Sequence, residues 1–180
     1  MILEVPLTPM TIKTQIGDLS VRQAGEADKS LVLHIKQEAA TWLEDKGIFQ
    51  WAGILMAQGE DMVYKRVHQG EVYLISKGAM AIGTVSVLWE DPISWGEKGT
   101  DGKAGYLHGL AILPNYNHKG IGQAIIKWAQ EYIKSKGKIV RLDCMAENPR
   151  INQYYKDLQY NYVGLKELST GFKVSLYEKN

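Results

Sequence analysis

The run YLHGLAILPNYNHKGIGQAIIKWA, Tyr106–Ala129, decides the fold. It joins an apolar strand pattern to a proline turn and then opens a regular helix on two glycines. From Gly120 onward Ile121, Ala124, Ile125, Trp128, Ala129, Tyr132 and Ile133 recur at i, i+3, i+4 and i+7, and Gly137 closes the pattern. Upstream, residues 104–113 read as a strand stopped by Pro114; downstream, KIVRLDCMA (138–146) reads as a buried strand. Strand, helix and strand in this order predict a right-handed parallel crossover. In open α/β sheets the ligand site lies beyond the carboxyl ends of the strands, beside the helix start, which here is PNYNHKGIG. A glycine inside a helix costs about 1 kcal/mol relative to alanine, so Gly120 and Gly122 point to a close approach to the backbone. A helix start with little side chain on it offers unpaired amides and about half a positive charge to a phosphate.

Working outward, residues 1–17 carry two prolines and no period, and are expected to form an arm or an added edge strand before a single domain over 18–180. Leu19–Gln23 alternates as a strand. Leu31, Val32, Ile35, Ala39, Trp42 and Leu43 then follow helical spacing, with His34, Lys36 and the lysines of the later helix read as solvated faces. The glycine-broken stretch EDKGIFQWAGI leads to a short helix at Asp61–His68, stopped by Gly70. EVYLIS and AMAIGTVSVLW form a hairpin about Lys77-Gly78, and residues 90–103 read as a long turn-rich loop. NPRINQYYKDL is a short helix with Asn148 as cap and Pro149 in its first turn, and two strands flank Ser169–Gly171. The order predicts an α/β fold of the α+β kind: a central mixed sheet of about seven strands with four helices on its faces.

The bulk numbers set limits on function. Lys and Arg total 21 against 20 Asp and Glu, a net charge of +1, which argues against a nucleic-acid partner or an anionic membrane. No apolar run reaches the length of a membrane span, and one cysteine, Cys144, with four scattered histidines gives neither an intrachain disulfide nor a metal cluster. A soluble, cytoplasmic, metal-free protein is expected, with a symmetric homodimer as the default assembly. Two nucleotide motifs fail in detail: a dinucleotide fingerprint needs glycine where Ile125 stands, and a P-loop needs Lys-Ser/Thr where Ile121-Gly122 stand.

Ile112-Leu113-Pro114 followed by Asn117-His118-Lys119-Gly120-Ile121-Gly122 resembles the pyrophosphate loop of the GCN5-related N-acetyltransferases, Arg/Gln-x-x-Gly-x-Gly/Ala. NPRINQYYKDLQY is similar to a second motif of that family, Asn-x-x-Ala-x-x-aliphatic-Tyr-x-x-x-Gly-Phe, and the element order matches over residues 18–178. Asn117 in place of Arg/Gln, Ile151 in place of Ala and Gln159-Tyr160 in place of Gly-Phe depart from it. The resemblance implies acetyl-CoA as cosubstrate in a slot between splayed central strands. Its pyrophosphate would rest on Asn117, His118, Lys119, Gly120, Ile121, Gly122 and Gln123, its pantetheine on Leu110, Ala111 and Ile112, with Asn148 in the cofactor-binding set.

An alkylamine is neutral in only about one molecule in 2,500 at pH 7, so a base is useful. His108, one residue before Gly109, is the candidate; a core histidine bonded within the sheet is the alternative. Gly109 marks either a bulge or a packing glycine. Tyr155 falls on the family's tyrosine and is expected to assist the leaving thiolate. Tyr154 is read as core and Cys144 as a small apolar residue. Trp42, Phe49 and Trp51 either wall an acceptor pocket, with Glu44 or Asp45 attracting a cation, or dock helices. The reading is an enzyme transferring acetyl to a primary amine of a small molecule. A silent acyl-CoA sensor and a peptide or protein acetyltransferase guided by the 90–103 loop are the alternatives.

Overall fold

Alternation and turn chemistry build the first strands. In the computed structural model, which describes residues 10–49 and 51–180, β1 (Met10–Thr14) turns at Gly17 and pairs antiparallel with β2 (Gly17–Gln23), Ile12 facing Leu19 on the buried side. Residues 1–9, the first part of the expected arm, and Gln50 lie outside the described residues. β3 (Val72–Lys77) and β4 (Met80–Leu88) form the expected hairpin, but its turn residues are Gly78 and Ala79, with Lys77 paired to Met80. Gly78 has φ +57° and Ala79 is not left-handed, so one glycine at the first turn position sets the register. Between Ile75 and Ser76 the register shifts, leaving Ile82 as a bulge on β4.

α1 (Lys29–Glu44) buries Val32, Ile35 and Ala39 of the stripe read from the sequence, together with Leu33, Lys36 and Ala40, while Trp42 and Leu43 are half-buried and Leu31 is exposed. Lys36 is buried rather than solvated, because it sits four residues after Val32 and three before Ala39, on the apolar face. α2 (Ala57–His68) starts four residues earlier than expected and ends before Gly70, at φ +71°, with Lys65, Arg66 and His68 in its last turn where the helix dipole favours them.

Residues 90–103 are not the open loop expected. Asp91 caps a one-turn helix, α3 (Pro92–Trp95), its Oδ1 accepting from the Ser94 amide at 3.2 Å, and Gly96–Thr100 continues as a 3₁₀ turn. Asp-Pro is a cap followed by a first-turn proline, a helix-start signal on a segment otherwise rich in turn residues. β5 (Ala104–Ile112), α4 (Ile121–Ser135) and β6 (Ile139–Met145) follow, and β5 and β6 pair in parallel from Ala104↔Ile139 to Leu107↔Leu142. Asn148 caps α5 (Pro149–Asp157), accepting from the Ile151 amide, and β7 (Asn161–Glu167) and β8 (Lys173–Lys179) close the chain.

The described residues thus hold eight strands in the order β1-β2-β3-β4-β5-β6-β8-β7, and five helices, one of each beyond the expected number. The additions are β1 and the short α3. The sheet is mixed: β1 with β2, β2 with β3, β3 with β4, β6 with β8 and β7 with β8 pair antiparallel, against the parallel β5 and β6. The chain folds as two compact units. One runs to Ser86 and includes Gly109–Ile126; the other comprises Val87–His108 and Lys127–Asn180. The first has a core from α1, α2 and β3, around Val32, Ile35, Val63, Val67 and Leu74. In the second, Trp95 packs with Leu88, Ala104 and Tyr106. No helix among the described residues is long and apolar enough to cross a membrane.

Candidate active site

Within the first unit, β5 ends at Ile112 and the chain turns through Pro114–Tyr116 into the glycine loop. His118 (φ +62°) and Gly120 (φ +72°) are both left-handed. A Cβ added at Gly120 would meet nothing within 4 Å, so the loop needs this glycine for its backbone and leaves the space before α4 open. His118, Lys119 and Gln123 are exposed, and Lys119 lies over the Tyr116 ring at 5.4 Å.

A cavity of about 200 Å³ opens beside this loop. Leu110, Ala111, Ile112 and Asn117, expected to bind cofactor, line it together with Trp42 and Trp51, expected to bind acceptor, and with Ala39 and Leu43 of α1. The third expected aromatic, Phe49, does not line it and is 59% exposed. Trp42 meets the His118 ring at 6.1 Å, which ties the helix wall to the loop. Gly109, at φ +55°, supplies the break in β5 just before the lining residues; a Cβ there would lie 2.5 Å from the Lys36 Nζ. The close approach at this glycine is made by a lysine that the sequence pattern had placed in solvent. Lys36 donates to the Gly109 carbonyl at 3.0 Å, and burial, aided by Arg66, pulls its pKa down to about 8.

In the second unit, His108 Nε2 lies 2.9 Å from Asp91 Oδ2 and 3.6 Å from Asp143 Oδ1. Burial works against the Asp91 charge, but the bonds from His108 and Ser94 outweigh it and hold this carboxyl below its usual range. With Asp91 ionised, Nε2–H donates to it and the basic lone pair is on Nδ1. The imidazole is therefore oriented by a carboxylate that a helix cap fixes in place. Asp91, His108 and Asp143 bring their ligand-type atoms within 4.8 Å of one another, a grouping that the sequence did not reveal.

Tyr155 is buried and ringed by aromatics: Tyr154 at 5.5 Å, Tyr160 at 5.8 Å and Tyr177 at 6.0 Å. Burial first, with Cys144 and the neighbouring phenols, drives its pKa far above that of a free phenol, so it stays neutral. Cys144 is buried and its thiol is pushed up to about 12, chiefly by burial, which makes it inert as a nucleophile at neutral pH. Asn148 serves α5 as its cap. Asp91, Asp143 and Lys36 are the residues missed. Each left a trace: Asp91 in Asp-Pro, Asp143 as an acid inside an apolar strand, and Lys36 as a cation on an apolar helix stripe.

The model of the acetyltransferase (GNAT) family matches residues 36–160. The chain is 27% identical over 143 residues to YesJ of Bacillus subtilis (strain 168), an uncharacterized N-acetyltransferase, a match covering 76% of this chain and 78% of that protein. A GNAT-family acetyltransferase from Listeria monocytogenes 4b F2365 superposes with a TM-score of 0.80 at 25% identity, over 94% of this chain and 99% of that one. The PaiA N-acetyltransferase from Thermoplasma acidophilum, solved with coenzyme A, has the same fold: TM-score 0.61, 14% identity, 89% of this chain and 99% of that one. A family match over well more than half the chain settles the class. The protein belongs to the GNAT family and is an acetyltransferase.

Proposed function

We propose that this acetyltransferase moves the acetyl group of acetyl-CoA directly to a primary amine of a small molecule, in a ternary complex. The observation that carries this reading is the 2.9 Å contact between His108 and the buried, capped carboxylate of Asp91. An imidazole held this way takes a proton through Nδ1, and the imidazolium that forms is stabilised by Asp91 and Asp143. The acceptor arrives mostly as an ammonium; losing that proton to His108, directly or through water, removes a handicap of roughly 4.6 kcal/mol at pH 7.

The residues present fit acetyl-CoA. The loop at 117–120, left-handed at His118 and Gly120 and open beside Gly120, and the start of α4 offer amides and a positive helix end to a pyrophosphate. The cavity beside it is lined mainly by apolar side chains with Asn117 and nearly as much polar as apolar surface, which suits a pantetheine arm with its amides, and its small size suits a compact acceptor. Coenzyme A supplies an activated thioester. The amine nitrogen bonds to the thioester carbon, the C–S bond breaks, β5 amides near 110–112 hold the oxyanion, and Tyr155 donates a hydrogen bond to the departing sulfur. As a neutral phenol with a raised pKa, Tyr155 stabilises the thiolate without surrendering its proton.

The test is acceptor-dependent CoA release across polyamines, aminoglycosides, arylalkylamines and peptides, in wild type and His108→Ala. The variant should turn over about 10²- to 10⁴-fold more slowly with CoA affinity retained. Its deficit should shrink as pH rises and the amine deprotonates unaided. An unmoved pH–rate profile would return His108 to the core-histidine reading.

A further inference from the structure

Among the described residues Lys36 is the one buried lysine, 5% exposed. Its ammonium has no carboxylate partner among those residues: it donates to the Gly109 carbonyl at 3.0 Å, lies 5.3 Å over the Trp51 ring and is repelled by Arg66 of α2. Arg66 is itself held by Glu71 at 3.0 Å. A lone buried ammonium with one carbonyl acceptor is costly, and an apolar residue on this stripe of α1 would hold the helix better. Lys36 and Gly109 are also matched: the lysine occupies the space that any side chain at 109 would fill, and the glycine supplies the left-handed turn that aims its carbonyl at the lysine.

The carbonyl that Lys36 binds belongs to the peptide group whose other end is the Leu110 N–H, and Leu110 lines the cavity. Amide resonance couples the two ends: a cation on the oxygen draws electron density from the nitrogen and makes its N–H a stronger donor. We propose that Lys36 is a positioning residue for acetyl transfer, whose ammonium locks the Gly109 peptide and polarises the Leu110 amide that receives the thioester oxygen as it becomes an oxyanion. This rests on the reading above that β5 amides take that oxygen. Lys36 changes no bond; it acts by charge through one peptide plane. The lowered pKa agrees, since the polarising charge is then lost near pH 8 instead of at the usual lysine value.

The experiment compares wild type with Lys36→Gln, which keeps an N–H donor without the charge, and Lys36→Met, which keeps neither. The readouts are kcat, KM, CoA affinity and the infrared carbonyl stretch of bound acetyl-CoA labelled with ¹³C at the thioester. Expected are a kcat loss of about 10-fold for Lys36→Gln and about 10²-fold for Lys36→Met with KM little changed, the scale of weakening or losing one oxyanion donor. The bound carbonyl stretch, lowered in wild type, should move back toward that of free acetyl-CoA in both variants. The wild-type advantage over Lys36→Gln should fade as pH rises through about 8. Variants with wild-type kcat, or with an unshifted carbonyl stretch, overturn the proposal; should Lys36→Met not fold, Lys36→Gln alone decides. If acetyl-CoA binds but no amine is acetylated, the acetyl-transfer reading fails while the carbonyl stretch still judges Lys36. If acetyl-CoA does not bind, both fall.

Discussion

Gln159 holds φ +63°, a conformation that costs an ordinary residue about 1–2 kcal/mol and a glycine nothing. It follows α5 at the position where the family motif carries glycine, so the backbone of that motif is kept here without its residue. Glycine would forfeit about 0.5–1 kcal/mol in the unfolded chain, which leaves a net gain. Gln159→Gly should therefore raise stability by about 0.5–1 kcal/mol, read as a higher denaturant midpoint at unchanged slope. No change, or a loss, would mean that the exposed Gln159 side chain contributes more than its strain. The same comparison shows why the motif survives substitution. What it encodes is a helix end, and the residue type is one way of reaching it.

At the scale of elements, the segment from Asp91 to Lys103 is pinned by Arg141 of β6. The guanidinium donates to the Lys98 carbonyl at 2.7 Å, to Asp101 at 3.1 Å, to the Tyr106 hydroxyl at 3.1 Å and to Glu178 at 2.8 Å, and lies 5.0 Å from the Trp95 ring. Arg141→Met should cost about 3 kcal/mol by leaving those acceptors unpaired. It should also expose 96–103 to limited proteolysis and reduce turnover, because Asp91 is held in the same segment. Intact proteolytic resistance would show that α3 stands without the arginine. The glycine loop gives a second test: Gly120→Glu should abolish CoA binding while Gly120→Ala, equally strained at φ +72°, weakens it less. Equal losses in calorimetric titration would assign the effect to strain alone. The sequence announced α4, α5 and the hairpins because their signals are local: period, cap and turn. His108 drew notice for the same reason, standing beside a glycine in a strand, whereas the cavity-lining 110–112 came from the family resemblance. The partners of His108 lie 17 and 35 positions away, and the partner of Gly109 lies 73 away on another element. No local pattern carries such pairings, so Asp91, Asp143 and Lys36 emerged only in the fold.

For the whole molecule, the shifted groups fix how stability follows pH. Bonds to Arg22, Lys29 and the Lys103 amide lead in holding Asp28, Glu26 and Asp101 below their ordinary range, and Asp91 is held there against its burial by His108 and Ser94. Their stabilisation is present above the unfolded carboxylate range near pH 4 and is lost as pH falls through the folded values, so the acid limb declines. Lys36 acts in the opposite region. Its folded pKa, about 8, lies below the unfolded 10.5, so between those values the unfolded chain binds more protons and stability rises with pH. Cys144 offsets this from about pH 9, since its thiol keeps its proton up to about 12 in the fold, and the buried tyrosines, raised in the same sense, turn the balance into a decline above about 10. The unfolding midpoint should therefore climb from about pH 8 to a plateau between about pH 9 and 10 and fall beyond it. The drop of the Lys36 pKa from 10.5 to about 8 corresponds to about 3 kcal/mol at pH 7. Losing the donor to the Gly109 carbonyl returns about 1 of that, so Lys36→Met should be about 2 kcal/mol more stable than wild type at pH 7. That advantage should vanish towards pH 10.5, and Cys144→Ala should lose much of the alkaline decline. A Lys36→Met variant less stable than wild type across the whole range would mean that the buried ammonium helps hold the fold. Its retention would then need no explanation from catalysis.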